Sequence, residues 1–148
     1  MKRLTIFLLL LLLLVGCTPK STVVDLGGKP VEFESFEAMD EASSLIVHCK
    51  VLSTDTRINQ VGGQVMSVLT VSQVVVQKVF KGDVQPGDII TVWQDSAYDA
   101  ENNTYYLFAN AYPLRDGKIY ELYLRPRETG SQYYVPVSCQ GILIAPGN

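Results

Sequence analysis

The sequence predicts a small, mostly β domain of five to six strands that curls into a barrel, preceded by one short amphipathic helix. Three observations carry that reading. Runs rich in Val, Ile, Thr and Tyr recur from Leu45 onward, separated by Gly, Pro and Asp turn signals. Only one stretch, residues 33–43, repeats its apolar side chains at helical spacing. The chain has 148 residues, which suits one domain once an apolar leader is set aside.

The leader comes first. Lys2 and Arg3 precede an apolar run over residues 4–15 that includes seven consecutive leucines, Leu8 to Leu14. A helix of that length rises about 18 Å against a hydrocarbon core of roughly 30 Å, too short to span comfortably. Residues 1–16 therefore read as a secretory signal peptide. Residues 17–31 carry Pro, Gly and Ser with no sustained period, the composition of a flexible tether. A short edge strand at Val23 and Val24 is the alternative. The barrel domain is expected over residues 32–148.

Within it, Phe36 and Met39, with Phe33 one turn earlier, share one face of the expected helix. Glu34, Glu37, Asp40 and Glu41 take the other, and Ser35 can cap the start. Leu45 to Leu52 is the first strand, and Gly62-Gly63 marks a hairpin turn. A long second strand, residues 65–80, changes phase: Leu69 and Val71 belong to one face, Val74, Val76 and Phe80 to the other. A bulge would account for this, as where a sheet curls into a barrel. Residues 89–93 form a third strand, residues 94–104 an irregular polar stretch, and residues 105–108 a brief strand. Tyr120, Leu122 and Leu124 alternate with Glu121, Tyr123 and Arg125 in the fourth main strand, residues 118–125, which Pro126 ends. A last strand is expected over residues 132–144, with Pro136 at an edge or bulge.

Two resemblances follow from these residues. Leu14-Val15-Gly16-Cys17 resembles the lipobox of bacterial lipoproteins. The resemblance implies diacylglycerol on the Cys17 thiol, cleavage before it, and stable anchoring by more than one acyl chain. It implies an extracytoplasmic address at the cell membrane, the outer one where a host has two. The entering helix, Ile46-Val47, Val79-Phe80-Lys81-Gly82, Pro86-Gly87-Asp88-Ile89 and Gly117 to Leu124 together resemble bacterial domains with an OB-like, netrin/TIMP-like barrel. That likeness covers about residues 36–145 and implies a fold, since OB-type barrels host unrelated activities. In the TIMP inhibitors an N-terminal Cys chelates the protease metal. A lipidated Cys17, some thirty residues before the barrel, does not carry that mechanism over.

Charge narrows the partners. Removing Lys2 and Arg3 leaves 10 basic against 15 acidic side chains, a net charge of −5, so nucleic acid is not an expected ligand. Cys49 and Cys139 remain after Cys17. A bridge can persist outside the cytoplasm, and closing a loop of about 90 residues would stabilise by roughly 4–5 kcal/mol in the chain-entropy account. Two packed, unbridged thiols are the other reading.

His48 is the only histidine, and Cys49 beside it points to the opposite face of the strand. Asp95, Asp99 and Glu101 sit in an oxygen-rich stretch, but their spacing matches no calcium loop, so they are weak metal candidates and no metal or cofactor is expected. All eight tyrosines fall between Tyr98 and Tyr134, with Arg115, Arg125 and Arg127 in the same half. Tyr98, Tyr105, Tyr106, Tyr112 and Arg115 are the candidate binding face, since aromatics with Arg can stack on sugars, peptides or bases. Strand propensity is the plain alternative. No phosphate loop, zinc spacing or Ser/His/Asp set is present. The expectation is a lipid-anchored, non-enzymatic module of the cell envelope that contacts a protein or glycan. A lipid-anchored hydrolase or hydrolase inhibitor is the alternative.

Overall fold

The computed structural model describes residues 20–144. The leader and Cys17 lie outside the described residues. In chain order the elements are β1 (Thr22–Asp25), α1 (Phe36–Ala42), β2 (Leu45–Val61), β3 (Gln64–Lys81) and β4 (Ile89–Gln94). There follow β5 (Ala97–Asp99), β6 (Thr104–Leu107), β7 (Ile119–Pro126), β8 (Tyr133–Pro136), a 3-10 turn (Cys139–Gly141) and β9 (Ile142–Ile144).

Five strands close a ring. β2 pairs with β3, β3 with β4, β4 with β8, β8 with β7, and β7 returns to β2. Four of these ladders are antiparallel, and the β4–β8 ladder is parallel. Counting only ring strands, the third and fifth in the chain are the parallel neighbours. The result is the OB-like barrel the sequence foreshadows, with β9 added on β7 as a sixth strand.

The ring exists because each strand carries a dry inner face. Tyr120, Leu122 and Leu124 are buried along β7, as their alternation predicts, and meet Leu45, Val47, Cys49 and Val51 of β2. Val74, Val76, Ile90, Val92 and Leu114 complete the core. The β2–β3 turn is Gly62-Gly63 with φ of 60° and 82°, the doubly positive backbone that a tight hairpin of this hand requires.

Several expectations need correction. Alternation along β3 is unbroken from Val68 to Val76, because polar Thr70 and Ser72 occupy inner positions. The expected bulges in β3 lie outside that stretch: the β2–β3 pairing shifts register at four places, three of which leave an extra β3 residue, Met66, Gln77 or Phe80. β2 runs well past Leu52, so residues 53–61 and 64–69 project beyond the ring as a two-stranded ribbon. Helix α1 forms with Ser35 as its cap, the hydroxyl accepting from the Ala38 N–H at 3.2 Å. It buries Met39 but leaves Phe36, the first helical residue, 64% exposed. The last strand is broken by the Ser138-capped 3-10 turn into β8 and β9.

Residues 94–104 are not irregular, and residues 17–31 are not wholly a tether. β5 and β6 form a hairpin, and β1 adds to β6 in parallel, making a second sheet in the order β1-β6-β5. The edge-strand reading of Val23 and Val24 is the one found. The β5–β6 hairpin is the insertion between ring strands β4 and β7, and β1 joins it from before the barrel. One hydrogen bond ties the insertion to the barrel, Thr70 Oγ1 donating to the Ser96 carbonyl at 2.7 Å, and another braces the insertion itself, the Phe108 N–H donating to Ser96 Oγ at 3.3 Å.

The Cys49–Cys139 bridge is not formed. Both thiols are free. Cys49 lies inside β2, opposite Tyr120 of β7, whereas Cys139 precedes β9 on the other edge of β7.

Candidate binding cleft

The insertion sheet leans over the base of the β2–β3 ribbon and leaves a cleft of about 680 Å³ between them. Thr54 and Thr56 of β2 form one wall. Tyr98 and Tyr105 form the other, and Arg115, Asp116, Lys118 and Tyr120 close one end.

Pairing places the tyrosines. Tyr98 on β5 stands directly opposite Tyr105 on β6, so their rings share one face of the sheet, 4.5 Å apart and tilted by 39°. Tyr112 meets the far side of Tyr105 edge-on at 5.3 Å. The guanidinium of Arg115 lies 3.8 Å from the Tyr98 ring centroid and donates from Nη1 to the Tyr105 hydroxyl at 2.6 Å. The backbone N–H of Arg115 donates to the Tyr120 hydroxyl at 3.2 Å. Burial pushes the Tyr120 phenol up, against the opposing pull of that N–H and of the Arg115 charge. Among the described residues, Arg115 has no carboxylate within salt-bridge distance.

Of the five candidate residues, Tyr98, Tyr105, Tyr112 and Arg115 come together. Tyr106 does not. It alternates with Tyr105 along β6, faces the opposite side, and pairs with Ala97 and Val24. Arg127 joins a separate group, 4.2 Å over the ring of Trp93, itself 5.0 Å from Tyr133.

The weak metal candidates are scattered. Asp95 is exposed between β4 and β5, and Glu101 is exposed in the β5–β6 turn. Asp99 spends its oxygens on that turn, accepting from the Asn102 side chain at 2.7 Å and from the Glu101 and Asn102 N–H groups. Those bonds, the Asn102 side chain first, hold its carboxyl below the usual range. No group of three His, Cys, Asp or Glu is positioned for a metal among the described residues. His48 is half-buried on the outer side of β2, away from Cys49, as alternation requires.

Four contributors escaped the sequence reading. Tyr120 counts as core by alternation, yet its hydroxyl reaches the cleft. Thr54 and Thr56 fall in a stretch with no apolar pattern. Gln94 is 5% exposed and clamps the segment that carries the site: its Nε2 donates to the Tyr112 carbonyl at 3.1 Å, and its Oε1 accepts from the Leu114 N–H at 2.8 Å. A polar residue closing an apolar strand, as Gln94 does after Val92 and Trp93, is the signal available in the sequence.

No family model matches the chain, and no curated protein matches it.

Proposed function

We propose that the chain is a cell-envelope lipoprotein, held at a membrane by lipid on Cys17, whose barrel binds an envelope glycan or protein in the tyrosine–arginine cleft without transforming it. The anchor is supported by Leu14-Val15-Gly16-Cys17 behind a short apolar run. Binding is supported by one observation. The Arg115 guanidinium is held by the Tyr98 ring and the Tyr105 hydroxyl at the end of a cleft whose 680 Å³ falls in the range of ligand sites. An arginine fixed in this way has already lost its rotamer freedom, so a ligand that meets it carries little of that ordering cost. Asp116 is the one carboxylate among the residues lining the cleft, and no histidine lines it. The walls thus suit recognition better than proton transfer, which works through a positioned acid or base of matched pKa.

Two measurements test this. Intact mass of native material should show diacylglycerol on a chain beginning at Cys17; an unmodified amino terminus, or a different first residue, refutes the anchor. A photo-crosslinker at the exposed Tyr112 should trap a discrete adduct in intact cells, and Arg115→Ala should remove it. An adduct indifferent to that change refutes the cleft.

A further inference from the structure

The large cleft does not end at Arg115. A second cleft of about 290 Å³ abuts it, lined by Tyr112, Pro113 and Ile142, and the two share Tyr105, Arg115, Tyr120 and Ile144. One side is apolar and aromatic. The other is rich in hydroxyls, with Thr54, Thr56 and Tyr98. Arg115 sits at the junction with no carboxylate within ion-pair distance among the described residues. Lys118 adds a second positive charge and Asp116 one negative, so the junction is net cationic in a chain whose net charge is −3.

The hydroxyls at this junction are placed as donors. Tyr105 accepts from Arg115 Nη1, and Tyr120 accepts from the Arg115 N–H, so each phenol keeps its own proton to give. A guanidinium and two phenolic O–H groups converging on one place form a receptor for a carboxylate or phosphate. The aromatic faces on either side suit the C–H surface of a sugar ring, and the threonine hydroxyls suit its hydroxyl groups.

From this juxtaposition we infer that the cleft takes an acidic saccharide, its carboxylate or phosphate on Arg115, one ring against Tyr112 and the next toward Thr54 and Thr56. The inference rests on the cleft being the binding site, and it adds the chemistry of the ligand. The net negative charge of the chain as a whole supplies discrimination, since it disfavours acidic polymers away from locally cationic places such as this junction.

Isothermal titration of the full chain in detergent tests it, with a uronate trisaccharide, the neutral trisaccharide of the same linkage, inorganic phosphate, and a short peptide with a free terminal carboxylate as probes. The uronate should bind about 10- to 100-fold more tightly than its neutral analogue, the range of a hydrogen bond to a charged group. Arg115→Gln should erase that preference, and Lys118→Gln, an exposed change that spares the fold, should reduce it. Added salt should weaken binding of the uronate and leave that of its neutral analogue unchanged. Equal binding of neutral and acidic sugars, tighter binding of the peptide, phosphate matching the trisaccharide, or no uronate binding would each overturn the inference. If the Tyr112 adduct still depends on Arg115 in those cases, the cleft survives and only the acidic saccharide is lost.

Discussion

Cys49 allows the packing of the barrel to be tested without any ligand. Its side chain is wholly enclosed by the ring, and burial pushes its thiol from 9.0 up to about 12. The thiolate is the species that reacts with alkylating agents. At pH 8 an ordinary thiol is about one-tenth ionised and one shifted to 12 about one ten-thousandth, so Cys49 should react about 1,000-fold more slowly before access is considered. A short iodoacetamide pulse at pH 8, read by peptide mass spectrometry, measures this. Half-buried Cys139 should be labelled in the native protein, and Cys49 only after denaturation, when both should react without a reductant. Native Cys49 reacting within tenfold of Cys139 would refute the enclosed barrel, and a masked pair in denaturant would restore the bridge. The same shift sets a pH dependence. Between pH 9 and 12 the unfolded chain releases this proton while the folded chain keeps it. Stability is therefore full below pH 9 and falls as pH rises, by up to about 4 kcal/mol from this group. A melting temperature that stays flat from pH 9 to 11 would contradict the sign.

Further outcomes follow from other parts of the fold. Leu122→Ala removes a side chain with no solvent exposure from the centre of β7 and should lower unfolding free energy by about 2–5 kcal/mol in urea titration. Gly82→Ala should destabilise by about 1–3 kcal/mol, because its φ is +106° and a Cβ there would meet Leu45 Cδ1 at 2.8 Å and the Ser44 carbonyl at 3.0 Å. Unchanged thermal melting would show that the loop can shift. Gln94→Ala leaves the buried Leu114 N–H without its acceptor, at about 1–3 kcal/mol, and should speed amide exchange at Leu114 more than at Leu122.

The barrel was largely legible because its strands are long and half of each is apolar. Tyr120, Leu122 and Leu124 alternate with polar neighbours, and Gly62-Gly63 suits the doubly positive φ of a tight hairpin. β6 was legible as the brief strand expected over residues 105–108, but β5, with three residues, was hidden in the polar stretch before it, too short for a period to show. β1 was harder still, since its partner β6 lies about eighty positions along the chain and the pairing is parallel. The site was half readable. Tyrosine density pointed to the right region, but adjacent Tyr105 and Tyr106 cannot share a face of one strand, and only pairing decides which of them turns to Arg115. The Gln94 clamp and the Tyr120 hydroxyl depend on contacts across many residues and leave little local signature.

The docking of β1 onto β6 also fixes a distance. Only residues 18–21 separate Cys17 from Thr22, and a chain that short spans at most about 17 Å. Val23 is one ladder step from Tyr105, and Tyr105 one step from Tyr98. With acyl chains on Cys17, the aromatic pair would ride just above the headgroups on a leash a few residues long. Anything it captures would be met in the plane of the bilayer, at the two-dimensional concentration found there, and not in the open volume beyond.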